Sequence, residues 1–346
     1  MNGSKLMSYV FTKTEQNNLK ASVFETKSLL YLATQSSKYK KISVLTIDCF
    51  NDVSGMCDEE NLWDVQAKNE QGLTPRKIGN YLITLYDNYI SEFKPFFQEF
   101  IFFMPHLKKD YVEEPSLSCY DIKNFKETHK QRLIEGIKAK ANLSDHINLD
   151  DFFEKVIFVE DRSEEKMYVK GLMRFQSSKL GDDQFFKAIF TEIRDKQTAL
   201  KNSEIENIRI KRPSDVLTLE RSLTTEQLQV FVLNRFVGGD VFSNSRRCPA
   251  SYVRFTRRFD DEDEIEDHIY EQNAALSRAF FDKNNQKNFW RLFEAIFKEF
   301  CKDKNKKVTD IMNDIRVNLI DKVEHMDFDS TRFLVAMVRD GLINDS

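Results

Sequence analysis

The chain has 346 residues, 41% hydrophobic and 31% charged, with a formal net charge of -4; that suffices for one large domain or two ordinary ones and excludes wholesale disorder. No apolar run approaches the ~18 residues of a membrane-spanning helix, and Met1-Asn2-Gly3-Ser4-Lys5 lacks the apolar core of a secretory signal, so a cytoplasmic protein is expected. The net acidity gives no global pull towards nucleic acid, and any such surface has to be local.

Asn18 to about Ser36 reads as a helix, with Phe24, Leu29, Leu30 and Leu32 as apolar bulk. Ile42–Ile47 is a β-branched run suited to a strand, followed by polar Asp48–Asp52 and a turn around Ser54-Gly55. Leu62–Lys68 fits a second strand. Thr74-Pro75 then opens a helix to about Ser91, with threonine as N-cap and proline at the first helical position. A third strand fits Glu99–Met104, stopped by Pro105; a basic helix follows from about Asn124 to Lys140, and Phe152–Glu160 suits a further strand. Helices are expected over 164–175 and 182–200, then a polar-basic connector, Ile208–Pro213, marks a boundary near residue 215. The remainder is helical by pattern, over 224–236, 262–282, 287–303, 306–322 and 329–341. Phe289, Phe293, Ile296, Phe297 and Phe300 recur at spacings of three and four, which suits a buried stripe. The fold class is therefore α/β over 1–215, with an all-helical region over 216–346 for partner docking or oligomerisation.

Several chemistries are absent. There is no GxxxxGK[ST], GxGxxG, HExxH or GxSxG motif, the five histidines show no metal-ligand spacing, and the five cysteines form no CxxC pair. What remains is Trp63–Lys68. Alternation sends Asp64, Gln66 and Lys68 to one face of a strand, and a hairpin would return Asp52, 14 residues before Gln66, beside Gln66 and Lys68. Such a set is the minimum for metal-assisted phosphodiester hydrolysis. Mg²⁺ takes oxygens from Asp52 and Gln66, a bound water becomes the nucleophile, and Lys68 offsets charge on the phosphate. Taken alone, the same residues also describe the exposed polar face of a strand. Asp64 either faces the site or is an exposed acid near the strand start.

Phe24-Glu25 on the helix, Asp48 and Asp52-Val53 at the strand end, Gln66-Ala67-Lys68 on the next strand and Phe100–Met104 on the third together resemble the PD-(D/E)xK nuclease superfamily, in its QxK variant. More narrowly, residues 20–215 resemble the N-terminal endonuclease domain of CBASS-type anti-phage effectors and the nuclease subunit of Lamassu-type defence systems. The resemblance implies a central mixed β-sheet flanked by helices, and a Mg²⁺- or Mn²⁺-dependent endonuclease acting on DNA in bacterial anti-phage defence. It makes Asp52 and Gln66 metal ligands, the Ala67 carbonyl a third, Glu25 an accessory ligand and Lys68 the catalytic lysine. It also implies partners: DNA, a defence complex with an SMC-like ATPase, or a second copy when active, and no membrane. A non-catalytic adaptor on a nuclease-like scaffold, or an RNase with the same site, are the alternatives.

Between Arg246 and Phe259 five arginines (Arg246, Arg247, Arg254, Arg257, Arg258) interleave with Tyr252, Phe255 and Phe259. Arginine forks and aromatic faces suit nucleic acid. The acidic run Asp260–Glu264 immediately after would repel it, so an internal ion-pair network or a partner-docking loop stands ahead of DNA contact. Lys123, Lys126, Lys130, Arg132, Lys138 and Lys140 form a rival basic face.

Overall fold

The computed structural model describes residues 8–11, 19–39, 42–57, 60–144, 146–242 and 248–344. The chain forms two compact units, Met1–Tyr168 with Phe190–Thr225, and Val169–Ile189 with Glu226–Ser346. The segment Val169–Ile189 thus belongs with the C-terminal residues, and the first unit reaches past the connector to Thr225.

In chain order the first unit holds β1 (Tyr9–Val10), α1 (Leu19–Tyr39), β2 (Val44–Ile47), β3 (Val53–Met56), β4 (Leu62–Ala67), α2 (Pro75–Tyr81), α3 (Ile83–Ile90), β5 (Phe97–Pro105), β6 (Cys119–Tyr120), α4 (Glu127–Lys140), α5 (Asp150–Phe153) and β7 (Val156–Asp161). It also takes the start of α6 (Glu165–Leu172), the end of α7 (Asp183–Leu200), β8 (Arg209–Ile210) and β9 (Ser222–Thr224). Seven strands make one mixed sheet in the order β6-β7-β5-β4-β3-β2-β9, with β1 and β8 paired separately. β4, β5 and β7 run parallel, and the other pairs are antiparallel.

The side chains explain the layers. Phe100, Phe102, Met104 and Phe158 join a core with residues of α2, α3 and α4, such as Ile78, Leu85 and Leu133. On the other face Phe103 meets Phe24 of α1 at 4.9 Å between ring centroids. α2 and α4 cross at two glycines: a Cβ on Gly79 would lie 2.1 Å from the Leu133 carbonyl, and one on Gly136 2.3 Å from that of Arg76. Only hydrogen fits there.

Three local expectations change. Ser54-Gly55, around which a turn was expected, lies within a fully buried strand, Val53–Met56. Gly55 serves packing, since a Cβ would meet Ile42 Cγ2 at 2.9 Å. The helix from Pro75 breaks at Leu82 into α2 and α3, although its start is as expected, with Thr74 Oγ1 accepting from the Lys77 N–H. In Phe152–Glu160, Phe152 and Phe153 belong to the short α5 and the strand starts at Val156. β4 itself is buried on both faces, so its polar residues do not form an exposed face.

The second unit holds the rest of α6, the start of α7, most of α8 (Thr225–Val237), then α9 (Val253–Thr256), α10 (Glu262–Phe281), α11 (Gln286–Lys302), α12 (Val308–Asp314), α13 (Val317–Ile320) and α14 (Phe328–Asn344). It carries no strand among the described residues. The α11 stripe is core: Phe289, Phe293, Ile296, Phe297 and Phe300 are buried, and Phe236 of α8 packs edge-on against Phe293 and Phe297. Among the described residues no helix is long and apolar enough to cross a membrane.

Candidate active site

Asp48–Asp52 turns the chain from β2 into β3, closed by the Asp48 N–H donating to the Asp52 carbonyl at 3.1 Å, with Asp48 left-handed at φ 53°. The antiparallel register pairs Ser54 with Asp64 and Val53 with Val65, so the next residue, Asp52, falls opposite Gln66. Its carboxylate accepts hydrogen bonds from Gln66 Nε2 at 2.5 Å and the Ala67 backbone N–H at 2.6 Å. Gln66 is fixed from behind by Thr84 of α3, whose hydroxyl donates to Oε1 at 2.6 Å.

Lys68 continues β4, its N–H bonded to the Phe103 carbonyl at 2.9 Å, and its ammonium lies 5.6 Å from the centre of the Tyr81 ring. Glu25 arrives from α1, where Phe24 anchors the helix against β5, and is ion-paired with Lys201. Glu25, Lys68 and Lys201 all act on the Asp52 charge. The structure thus brings Asp52, Gln66, Ala67, Lys68 and Glu25 together, with Ala67 contributing its N–H to Asp52.

Two basic residues escaped the sequence reading. Lys201 follows α7 and pairs with Glu25; Arg221, 2% exposed, precedes β9. Arg221 donates to the Asp48 carbonyl (3.0 Å) and carboxylate (3.1 Å), to the Ser203 carbonyl (2.9 Å) and to the Lys201 carbonyl (2.8 Å). It ties the segment carrying Lys201 to the turn carrying Asp48 and Asp52. Neither residue has a local sequence signal, because both lie about 150 residues or more from Asp52 along the chain.

Burial, aided by repulsion from Glu25, pushes the Asp52 carboxyl up to about 7, against the opposing pull of Lys68, the Ala67 N–H and Lys201. Burial also raises Asp48, which Lys201 and Arg221 partly offset. Asp64, on the same strand face as Gln66, has a different environment. It is wholly buried and accepts from Asn51 Nδ2 (2.5 Å), Ser54 Oγ (2.8 Å) and Asn88 Nδ2 (2.8 Å), while burial lifts it to about 6. It is neither an exposed acid nor part of the charged cluster: its partners are neutral side chains.

The donor set suits a hard divalent cation. Two carboxylates, Asp52 and Glu25, lie close enough to repel each other, and a cation relieves that repulsion. Gln66 now turns Nε2 to Asp52; as a ligand it would present Oε1 instead, an exchange that Thr84 accommodates because a hydroxyl accepts as well as donates. Glu25 would share itself between the cation and Lys201.

Of the five arginines, Arg246 and Arg247 lie outside the described residues. Arg254, Arg257 and Arg258 are exposed. Arg258 pairs with Asp329 at 2.6 Å and lies over Phe259; Arg254 lies over Phe255 and donates to Thr309 at 3.3 Å. Arg258 thus has an internal ion pair, whereas the contacts of Arg254 are a ring face and a hydroxyl. His325, one of the five histidines without metal-ligand spacing in the sequence, joins Asp282 and Glu324 in a cluster whose ligand atoms lie within 4.8 Å of one another. No protein-family model, curated protein or solved structure matches this chain significantly.

Proposed function

We propose that the first unit is a metal-dependent nuclease hydrolysing phosphodiester bonds of DNA, with Asp52, Gln66, Glu25 and Lys68 as its active residues. One observation carries the reading. The side chains of Glu25 from α1, and of Gln66 and Lys68 on and just past β4, converge on Asp52 in the β2–β3 turn, at the end of a strand pair. Support also comes from the element order: a helix acid, an acid at the β2–β3 turn, a Q-x-K strand and, after α2 and α3, a parallel strand β5.

Asp52, Glu25, Gln66 Oε1 and the Ala67 carbonyl would hold Mg²⁺ or Mn²⁺, which when bound polarises a phosphoryl oxygen and lowers the pKa of a bound water. Lys68 donates to a non-bridging oxygen, offsetting the charge that grows there in the transition state. The Ala67 N–H fixes the Asp52 carboxylate and Thr84 keeps a hydrogen bond to the Gln66 amide, so the one rearrangement needed is the exchange of the Gln66 amide ends. The resemblance adds the role, an effector of bacterial anti-phage defence held inactive until a partner complex, such as one with an SMC-like ATPase, or self-association assembles it. Purified protein with Mn²⁺ or Mg²⁺ is expected to nick duplex DNA, and Lys68→Ala to abolish it with an unchanged melting profile; cleavage persisting in Lys68→Ala would place the activity elsewhere.

A further inference from the structure

Beyond the Asp52 cluster, the same sheet face carries a second polar group that the reaction above does not use. Glu160 near the end of β7 is 3% exposed, yet its carboxylate accepts from Tyr120 Oη (2.7 Å), Arg162 Nε (3.1 Å) and Arg162 Nη2 (2.7 Å). Those bonds already neutralise and satisfy it. His106, one residue past β5, nevertheless sets Nδ1 against Glu160 at 2.5 Å, with its side chain 48% exposed. A carboxylate on Nδ1 fixes the tautomer and the ring plane, leaving Nε2 for another partner.

Strand register relates this pair to Lys68. Ala67 pairs with Phe103 and Met104 pairs with Glu160, so Lys68, Met104 and Glu160 fall in one row across three parallel strands. Side-chain alternation puts that row on the α2–α4 face, with Met104 and Tyr120 in its core. His106 lies two residues beyond Met104. Lys68 and Glu160 are two strand spacings apart, about 10 Å, close enough for one nucleic-acid strand to reach both. Crevices at the carboxyl ends of parallel strands are where such sheets bind ligands. Asp161 points to the opposite face, to Lys27 of α1 at 2.7 Å, and so does not oppose an anion at His106.

We infer that His106, held by Glu160, is a backbone-phosphate contact for a nucleic-acid strand laid across the carboxyl ends of β4, β5 and β7. The inference rests on the proposed nuclease reading for the position of the scissile bond. Protonated, the ring would give Nδ1–H to Glu160 and Nε2–H to a phosphate oxygen close to the cut. No bond is made or broken at His106.

The test compares a long and a minimal substrate at about pH 6, below the ordinary imidazole pKa of about 6.5. A 20-nucleotide strand reaches from Lys68 to His106, and bis(p-nitrophenyl) phosphate does not. With Mn²⁺, His106→Gln is expected to lower the ratio of kcat/KM on the oligonucleotide to that on the diester about tenfold, through KM, the loss of one charge-assisted hydrogen bond. An unchanged ratio, whether both activities fall or neither does, overturns the contact. If the unmodified protein cleaves neither substrate, the nuclease reading fails separately. Fluorescence anisotropy of the oligonucleotide on Lys68→Ala, with and without His106→Gln, then decides the contact: about tenfold weaker binding supports it, and equal binding overturns it.

Discussion

Asp52, in the β2–β3 turn, and Asp64, on β4, are both withdrawn from water and both raised above the ordinary carboxylate range, to about 7 and about 6. Their surroundings differ in kind. Asp64 accepts from three neutral side chains, Asn51, Ser54 and Asn88, and Asn88 is in turn held by Tyr9 Oη at 2.8 Å. Asp52 has two short hydrogen bonds and is otherwise surrounded by charge, with Glu25 pushing and Lys68 and Lys201 pulling. A closed set of neutral donors stabilises one static arrangement. A half-buried cluster of opposed charges has several arrangements of similar energy, and a cation or a phosphate can select among them. The perturbed pKa alone does not separate the two acids; the partners do.

The largest contrast is in catalysis. Lys68→Ala should cut DNA cleavage at least a hundredfold, whereas Asp64→Asn, measured per folded molecule in the same assay, should stay within a few-fold of the parent. Stability reverses the order. Asp64→Leu strands the Asn51, Ser54 and Asn88 donors in the interior and should cost about 3 kcal/mol or more in urea unfolding. Asp52→Asn removes a charge that burial and Glu25 already disfavour, so it should leave stability unchanged or raise it.

Both carboxyls also titrate in a predictable direction. Each is raised, so the native state holds protons more tightly than the unfolded chain between about pH 4 and pH 7, and stability falls as pH rises through that window. Thermal melts without metal should give a lower Tm at pH 7.5 than at pH 5.5, and Asp64→Asn should flatten the difference. A Tm that rises with pH over this range would remove the argument from burial. The smallest effect is at Tyr9, where Tyr9→Phe removes the bond to Asn88 and should cost about 1 kcal/mol in the same unfolding experiment, with cleavage unaffected.

Much of this arrangement was legible in the chain, and the reasons vary by residue. The period-two pattern of Trp63–Lys68 announced β4, and the spacing from Asp52 to Gln66 announced their pairing. β3 stayed hidden because Ser54-Gly55 has turn composition; its glycine answers to Ile42 and Leu32, which only the folded chain brings near. Alternation put Asp64 on the face of Gln66, but nothing local told that Asn51, Ser54 and Asn88 would enclose it. Lys201 and His106 were illegible for the same reason: each owes its place to a carboxylate, Glu25 or Glu160, remote in sequence. The arginines at 254–258 show the converse. Their composition allowed phosphate contact, but the acidic run after them put internal pairing or partner docking first, and the fold gives Arg258 to Asp329 and Arg254 to Thr309.

Arg221 bears on how this protein can be dissected. A fragment ending at residue 215, where the connector invites a cut, stops six residues short of the guanidinium that fastens the Asp48 turn, and it also lacks the edge strand β9. Such a piece would keep every acid and lysine of the centre and still leave two stretches of backbone unmoored. Inactivity of the truncated protein would then report a lost brace, and a fair trial of the isolated unit has to extend at least to Thr225 and carry 169–189 as well, since the chain runs through that segment to reach Lys201.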